Sequence, residues 1–229
     1  NTQPIKTKRG EYMKKALIGL TIVALLFVFS IPAYAISYTY TSLNYPAAYH
    51  TQAFGIDSGN IVGGYFDILG SHGFLYDGST WISLNYPGAF WTNASDIYGG
   101  NIIGSYSNAK GIYGFLYDGT TWTSINYPGA SGTLAYGIDG ENIVGWVYDI
   151  SGYHGFLYDS DSWSALSYPD AFKTFAFSID GNEIVGWYSD IIGIHGFFAT
   201  PTAVPEPSTL LLLGSGLAGL AGIRKKFKI

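Results

Sequence analysis

The side chains of this sequence that could do chemistry are few and regularly spaced. His72, His154 and His195 occupy one position of a pattern that recurs every 41 residues, so three imidazoles in register could be offered to a metal. Tyr113 stands at that position in the remaining copy, and no ligand cluster of metal spacing surrounds the histidines, so they read as structural strand residues. Asp77-Gly78, Asp118-Gly119 and Asp139-Gly140, with Asp159-Ser160-Asp161, resemble fragments of calcium loops. None completes the D-x-[DN]-x-[DN]-G order with its distal Glu. Hairpin turns account for them, because Asp-Gly is a preferred pair for a two-residue turn. Weak calcium binding is the alternative on so acidic a domain; no other cofactor and no metal site is expected.

Nucleophilic catalysis finds no support. There is no cysteine, and no serine stands beside a non-repeated His and acid in a recognisable motif. Paired carboxylates stay open to any two of the acids. The enzyme reading, a propeller glycosidase or lyase acting on extracellular polysaccharide, therefore stands second to a non-enzymatic one. Variable aromatic and basic residues on loops are better candidates for contact with the flat apolar faces of sugars or with protein partners. Those residues are Tyr49, His50, Phe90, Trp91, Lys110, Phe172 and Lys173. The competing account is that the large aromatics simply cover junctions between sheets.

The elements that must position these residues come from an internal repeat. Tyr-Pro recurs at Tyr45-Pro46, Tyr86-Pro87, Tyr127-Pro128 and Tyr168-Pro169, each 41 positions after the last. Ile56, Gly63, Phe74 and Trp81 recur at the same step, without an insertion or deletion. In the first copy, apolar and aromatic runs at 51–56, 61–66, 73–76 and 80–86 are separated by turn chemistry. That predicts four strands per copy, with a fourth strand that Tyr-Pro closes at a sheet edge. If the strands alternate, the loop after each fourth strand and the loop between second and third strands open on the same face. A repeat of this size means a solenoid, a propeller or an array.

The phase of the repeat sharpens the choice. Residues 39–46 (TYTSLNYP) match the fourth strand 80–87 (TWISLNYP), whereas the last copy stops after its third strand at Gly196-Phe197-Phe198. The chain begins with the strand that its end lacks. The expected fold class is therefore all-β: a four-bladed β-propeller-like ring of four 41-residue repeats, closed by the N-terminal strand. A half-ring completed by a second chain is the competitor. The copies also resemble the HAF family of extracellular repeats, through Ala53-Phe54-Gly55-Ile56-Asp57, Ile61-Val62-Gly63 and His72-Gly73-Phe74-Leu75-Tyr76. Tyr98 and Tyr113 depart from that pattern in the second copy. The resemblance implies an extracellular setting and no particular chemistry.

Both ends read as addresses. Met13-Lys14-Lys15, the apolar run 16–31 and Pro32-Ala33-Tyr34-Ala35 form a signal peptide helix over 13–35, with cleavage after Ala33-x-Ala35 and before Ile36. Residues 1–12 fit no pattern and are read as upstream or fusion sequence. At the other end Val204, Pro205, Glu206 and Pro207 precede an apolar run over 210–223 and the basic cluster Arg224-Lys225-Lys226. A helix over that run measures about 21 Å, short but able to insert in a bilayer. This tail, 204–229, closely resembles the PEP-CTERM sorting signal. The resemblance implies a C-terminal transmembrane sorting helix held in the inner membrane and then processed by an exosortase.

The expected domains are then the upstream 1–12, the signal peptide 13–35, the propeller 36–203 and the tail 204–229. The propeller carries only Lys110 and Lys173 against fourteen acids, a net charge near −12. Such a surface repels phosphate backbones, so no nucleic-acid partner is expected. Without cysteine, no disulfide framework holds the domain, and a packed core must. The partners expected are the Sec export machinery, an exosortase, and an exopolysaccharide or surface protein at the cell surface or in the matrix. A coat that binds nothing specific is the third reading.

Overall fold

Short runs rich in aromatic and β-branched residues, set between tight turns, give fifteen strands among the described residues. The computed structural model describes residues 37–201, with Tyr12, Met13 and Lys15, which are helical. The signal peptide and the sorting tail expected from the sequence lie outside the described residues. The chain divides into two units, residues 1–42 and 43–229; described residues 37–42 of the first are irregular.

In the second unit each copy builds one antiparallel sheet in chain order. The first holds β1 (His50–Asp57), β2 (Asn60–Asp67), β3 (Gly70–Tyr76) and β4 (Trp81–Leu84). The second holds β5 (Trp91–Tyr98), β6 (Asn101–Asn108), β7 (Gly111–Tyr117) and β8 (Trp122–Ile125). The third holds β9 (Gly132–Asp139), β10 (Asn142–Asp149), β11 (Gly152–Tyr158) and β12 (Trp163–Leu166). The fourth has three strands, β13 (Lys173–Asp180), β14 (Glu183–Ser189) and β15 (Ile194–Ala199). Single parallel bridges, Ile112 to Gly132 and Tyr153 to Lys173, join the second sheet to the third and the third to the fourth.

Successive sheets pack face to face, the first strand of each copy lying across the sheet before it: β5 on β1, β2 and β3, and β13 on β9, β10 and β11. Val62 and Leu84 of the first copy are buried with Ala94, Ile97 and Ile102 of the second. Ile103 and Ile125 meet Ala135, Ile138 and Ile143 in the same way, and Val144 meets Ala176, Ile179 and Ile184. Within each sheet, the close approach of the first two strands depends on glycine. A bulge in each first strand, between Ala53 and Gly55 in the first copy, pushes a carbonyl toward the second strand. A Cβ on Gly63, Gly104, Gly145 or Gly186 would come within 1.9 Å of that carbonyl oxygen.

Three expectations are corrected. No strand forms over 39–46: residues 37–45 are irregular, and among the described residues β15 pairs only with β14 and the sheets do not close into a ring. In the first sheet the fourth-strand position is already taken, since β4 occupies the edge of β3. Tyr-Pro does not close the fourth strand, which ends at Leu84; it forms a β-turn at each junction, with Ala89 N–H donating to Tyr86 C=O at 3.0 Å. Asp77-Gly78 is not a two-residue hairpin. Tyr76 pairs with Trp81, and the four residues between are held by the Asp77 carboxylate, which accepts the Ser79 and Thr80 amides at 2.8 and 2.7 Å.

Candidate functional site

The junctions are built alike in all four copies. The Tyr45 amide donates to Thr51 Oγ1 at 2.9 Å, and the pairs Tyr86/Thr92, Tyr127/Thr133 and Tyr168/Thr174 repeat the bond at 2.9–3.0 Å. Four residues after each of these tyrosines the chain meets the end of the second strand: Tyr49 N–H donates to Phe66 C=O at 2.8 Å, and Phe90 N–H to Ser107 C=O at 2.7 Å. Ser131 and Phe172 do the same to Tyr148 and Ser189. These bonds bring the junction loops and the second hairpins to one end of the sheets, as the alternation of strands requires.

On that end, Tyr49, His50 and Trp91 converge on a groove of about 800 Å³ between the first two copies, together with Phe66, Gln52 and Asn93. Tyr49 and His50 lie 6.3 and 6.4 Å from the Phe66 ring, centroid to centroid. Tyr65 forms part of the wall. Its ring stacks on Tyr45 at 3.7 Å, its hydroxyl bonds Ser83 Oγ at 2.7 Å, and burial pushes its pKa up to about 12, so the phenol stays protonated.

The groove exists because of what the other copies carry at the same places. Gly64 of the first copy corresponds to Trp146 and Trp187, and Asn93 of the second to Phe175 of the fourth. Trp146 packs edge-on against Phe175 at 5.0 Å, and Phe175 stacks on Trp187 at 4.1 Å, so the later copies are filled with rings. In the first two copies glycine and amides leave the space open, and an added Cβ on Gly64 would clash with the Asn93 amide oxygen, at 2.5 Å, and touch the His72 carbonyl at 3.7 Å. Loop variability points to Tyr49, His50 and Trp91 but misses Gln52, Asn93 and Gly64. Their signal is variation inside otherwise uniform strands.

The remaining candidates lie elsewhere. Phe90 and Phe172 are exposed and outside the groove lining. Lys110 sits in the β6–β7 turn, its amide donating to Asn108 Oδ1 at 2.8 Å. Lys173 Nζ stands 5.0 Å over the Tyr153 ring. The three repeated histidines do not meet one another's ligands. Each reaches an aspartate five residues back in its own hairpin: His72 to Asp67 at 3.3 Å, His154 to Asp149 at 2.9 Å and His195 to Asp190 at 3.4 Å. Ser151 and His154 together hold the Asp149 carboxyl far below the usual range. The repeated D-x-x-G-x-H pattern was the sequence signal for these pairs, and Asn108/Tyr113 replaces it in the second copy.

The end of the chain carries the address. Residues 203–226 match the PEP-CTERM protein-sorting motif. The match contains Val204, Pro205, Glu206 and Pro207, and PEP-CTERM recognition implies exosortase processing of this tail and sorting toward the surface or exterior. No curated protein matches this chain. Among solved structures, the β-propeller domain of the trilobed protease from Pyrococcus furiosus is similar over 68% of this chain and 56% of that one. The identity is 11% and the TM-score 0.49, and the chain spans little more than half of that relative's length.

Proposed function

We propose that the repeat array is a non-enzymatic binding module of the cell surface or extracellular matrix, and that the groove between its first two copies takes a saccharide. One observation carries this reading: Tyr49, Phe66 and Trp91 border a space floored by Gln52 and Asn93, kept open by a glycine where later copies have tryptophan. Aromatic faces suit the apolar faces of sugar rings, and amides and imidazole suit hydroxyls. The PEP-CTERM tail supports delivery to where an exopolysaccharide is met. The strongly acidic array favours neutral over anionic chains. No carboxylate lines the groove, so two-carboxylate hydrolysis would have neither acid nor base there.

Binding to a neutral exopolysaccharide, measured by glycan array and calorimetry, tests the reading. Trp91→Ala should weaken it about tenfold, in keeping with loss of one stacking platform. Gly64→Trp with Asn93→Phe recreates the Trp146 and Phe175 contact and should abolish binding without loss of thermal stability. Binding that survives both variants would refute the groove as the site.

A further inference from the structure

We infer that the array self-associates head to tail, the last sheet of one chain receiving residues 39–44 of a second copy as its fourth strand. The vacancy is specific. In the first copy Trp81 packs against Tyr45, Phe74 and Tyr76, and Trp122 and Trp163 repeat this against their equivalents. In the fourth copy the corresponding residues are Tyr168, Phe197 and Ala199, and they line a pocket of about 170 Å³ with no tryptophan to fill it. Beside it runs the edge of β15, which no strand among the described residues pairs with.

The occupant is written at the other end of the chain. Tyr40 is the residue in step with Trp81, Trp122 and Trp163, followed by the same Thr-Ser-Leu-Asn-Tyr-Pro type of run, and it is 92% exposed. Where β3 meets β4, Tyr76 pairs with Trp81 and Leu75 with Ile82. The same register sets Ala199 against Tyr40 and Phe198 against Thr41 of the second copy.

The sheet faces behind these strands are the two halves of one interface. Ile97, Ile138 and Ile179 are 4–8% exposed beneath the preceding copy, whereas Ile56, with no copy before it, is 69% exposed. Val62, Ile103 and Val144 are fully buried by the following copy, whereas Val185 is 45% exposed and Phe198 62%. Each half is complementary to the other, because the pair occurs three times inside the chain. Tyr45 is fixed to the first sheet through Thr51 and Tyr65, so a donated strand brings the β1 face with it. Among the described residues nothing packs on either face as one copy packs on the next, and a second chain covers them without altering the packing between copies. Such a contact is heterologous and repeats until it closes. Asp180 would then accept the amide of the second copy's Ser58, as Asp57 accepts that of Gly99.

The chain has no cysteine, so two single substitutions read the contact directly. Full-length, detergent-solubilised Thr41→Cys chains are mixed with Phe198→Cys chains and oxidised. A disulfide between the two kinds of chain is expected, with a concentration-dependent dimer or larger assembly in sedimentation. Tyr40→Ser and Asp180→Ala should each weaken association several-fold, and Tyr40→Trp should strengthen it. A monomer at all concentrations, disulfides only between like chains, or a cross-link only within a doubly substituted chain would overturn the inference. Saccharide binding by Tyr40→Ser reads the groove separately.

Discussion

Asp57 reaches out of the first copy and accepts the Gly99 amide of the second at 2.7 Å. Asp139 does the same for Gly181 between the third and fourth copies. Tyr98 stands at this position in the second copy, and there Asp96, two residues before it, accepts the Ile138 amide at 3.1 Å instead. A carboxylate therefore ties every sheet to the next. Asp57→Ala and Asp139→Ala should each cost about 1 kcal/mol in chemical unfolding, while Asp180→Ala, which has no following copy in the same chain, should leave the monomer's stability unchanged.

The glycines that meet the bulged carbonyls have no tolerance. Gly145→Ala would drive a methyl to 1.9 Å from the Leu134 carbonyl oxygen. The third sheet must open or its bulge must flatten, and the expected destabilisation is about 3 kcal/mol, measured by urea unfolding. Gly59→Ala, whose added Cβ meets nothing, separates crowding from backbone strain: its φ of +86° should cost only about 1 kcal/mol.

Each Tyr-Pro turn places its third residue at positive φ: Ala47 at 62°, Gly88 at 74°, Gly129 at 79° and Asp170 at 61°. This is the position where a type II turn favours glycine. Ala47→Gly and Asp170→Gly should each stabilise by up to about 1 kcal/mol, and Gly88→Ala should destabilise by a similar amount. Thermal unfolding of the three variants checks the signs.

Acid should loosen the array. Asp77, Asp118 and Asp159 have carboxyls lowered by amide and hydroxyl hydrogen bonds in their loops, and Asp149 and Asp190 by those of their hairpins with help from histidine. A depressed carboxyl stabilises the fold above its unfolded value, near 3.9, and loses that contribution as pH falls toward its folded value. Asp96 opposes the trend, since burial raises its pKa and protonation favours its folded state. With five groups against one, the melting temperature should drop below about pH 4. Asp149→Asn should flatten that limb in a circular dichroism melt series, and Asp96→Asn should steepen it.

The architecture within a copy was legible because it is local. The β-branched and aromatic runs, Ser58-Gly59 and the constant 41-residue step determine strands, hairpins and their order, and the residues from Val204 onward suffice to recognise a sorting tail. Even the common end of the junction loops follows from strand alternation. Asp139-Gly140 does open a two-residue turn, since Asp139 pairs with Asn142, but Asp77-Gly78 and Asp118-Gly119 were misread for a physical reason: a carboxylate that accepts two following amides prefers a four-residue loop to a two-residue turn.

What lies between copies depended on the tertiary structure. Gly64 acquires meaning only beside Asn93, which is 29 residues on and becomes its neighbour when β5 crosses the first sheet. The pocket at Tyr168 and Phe197 likewise appears only when the fourth copy is seen without its tryptophan. The sequence by itself determined that residues 39–46 repeat the pattern of a fourth strand ahead of the first copy. Whether that segment pairs with β15 was decided by the tertiary structure: among the described residues β15 pairs only with β14, and Ile56 on the first sheet and Val185 on the last stay exposed because no copy packs on them.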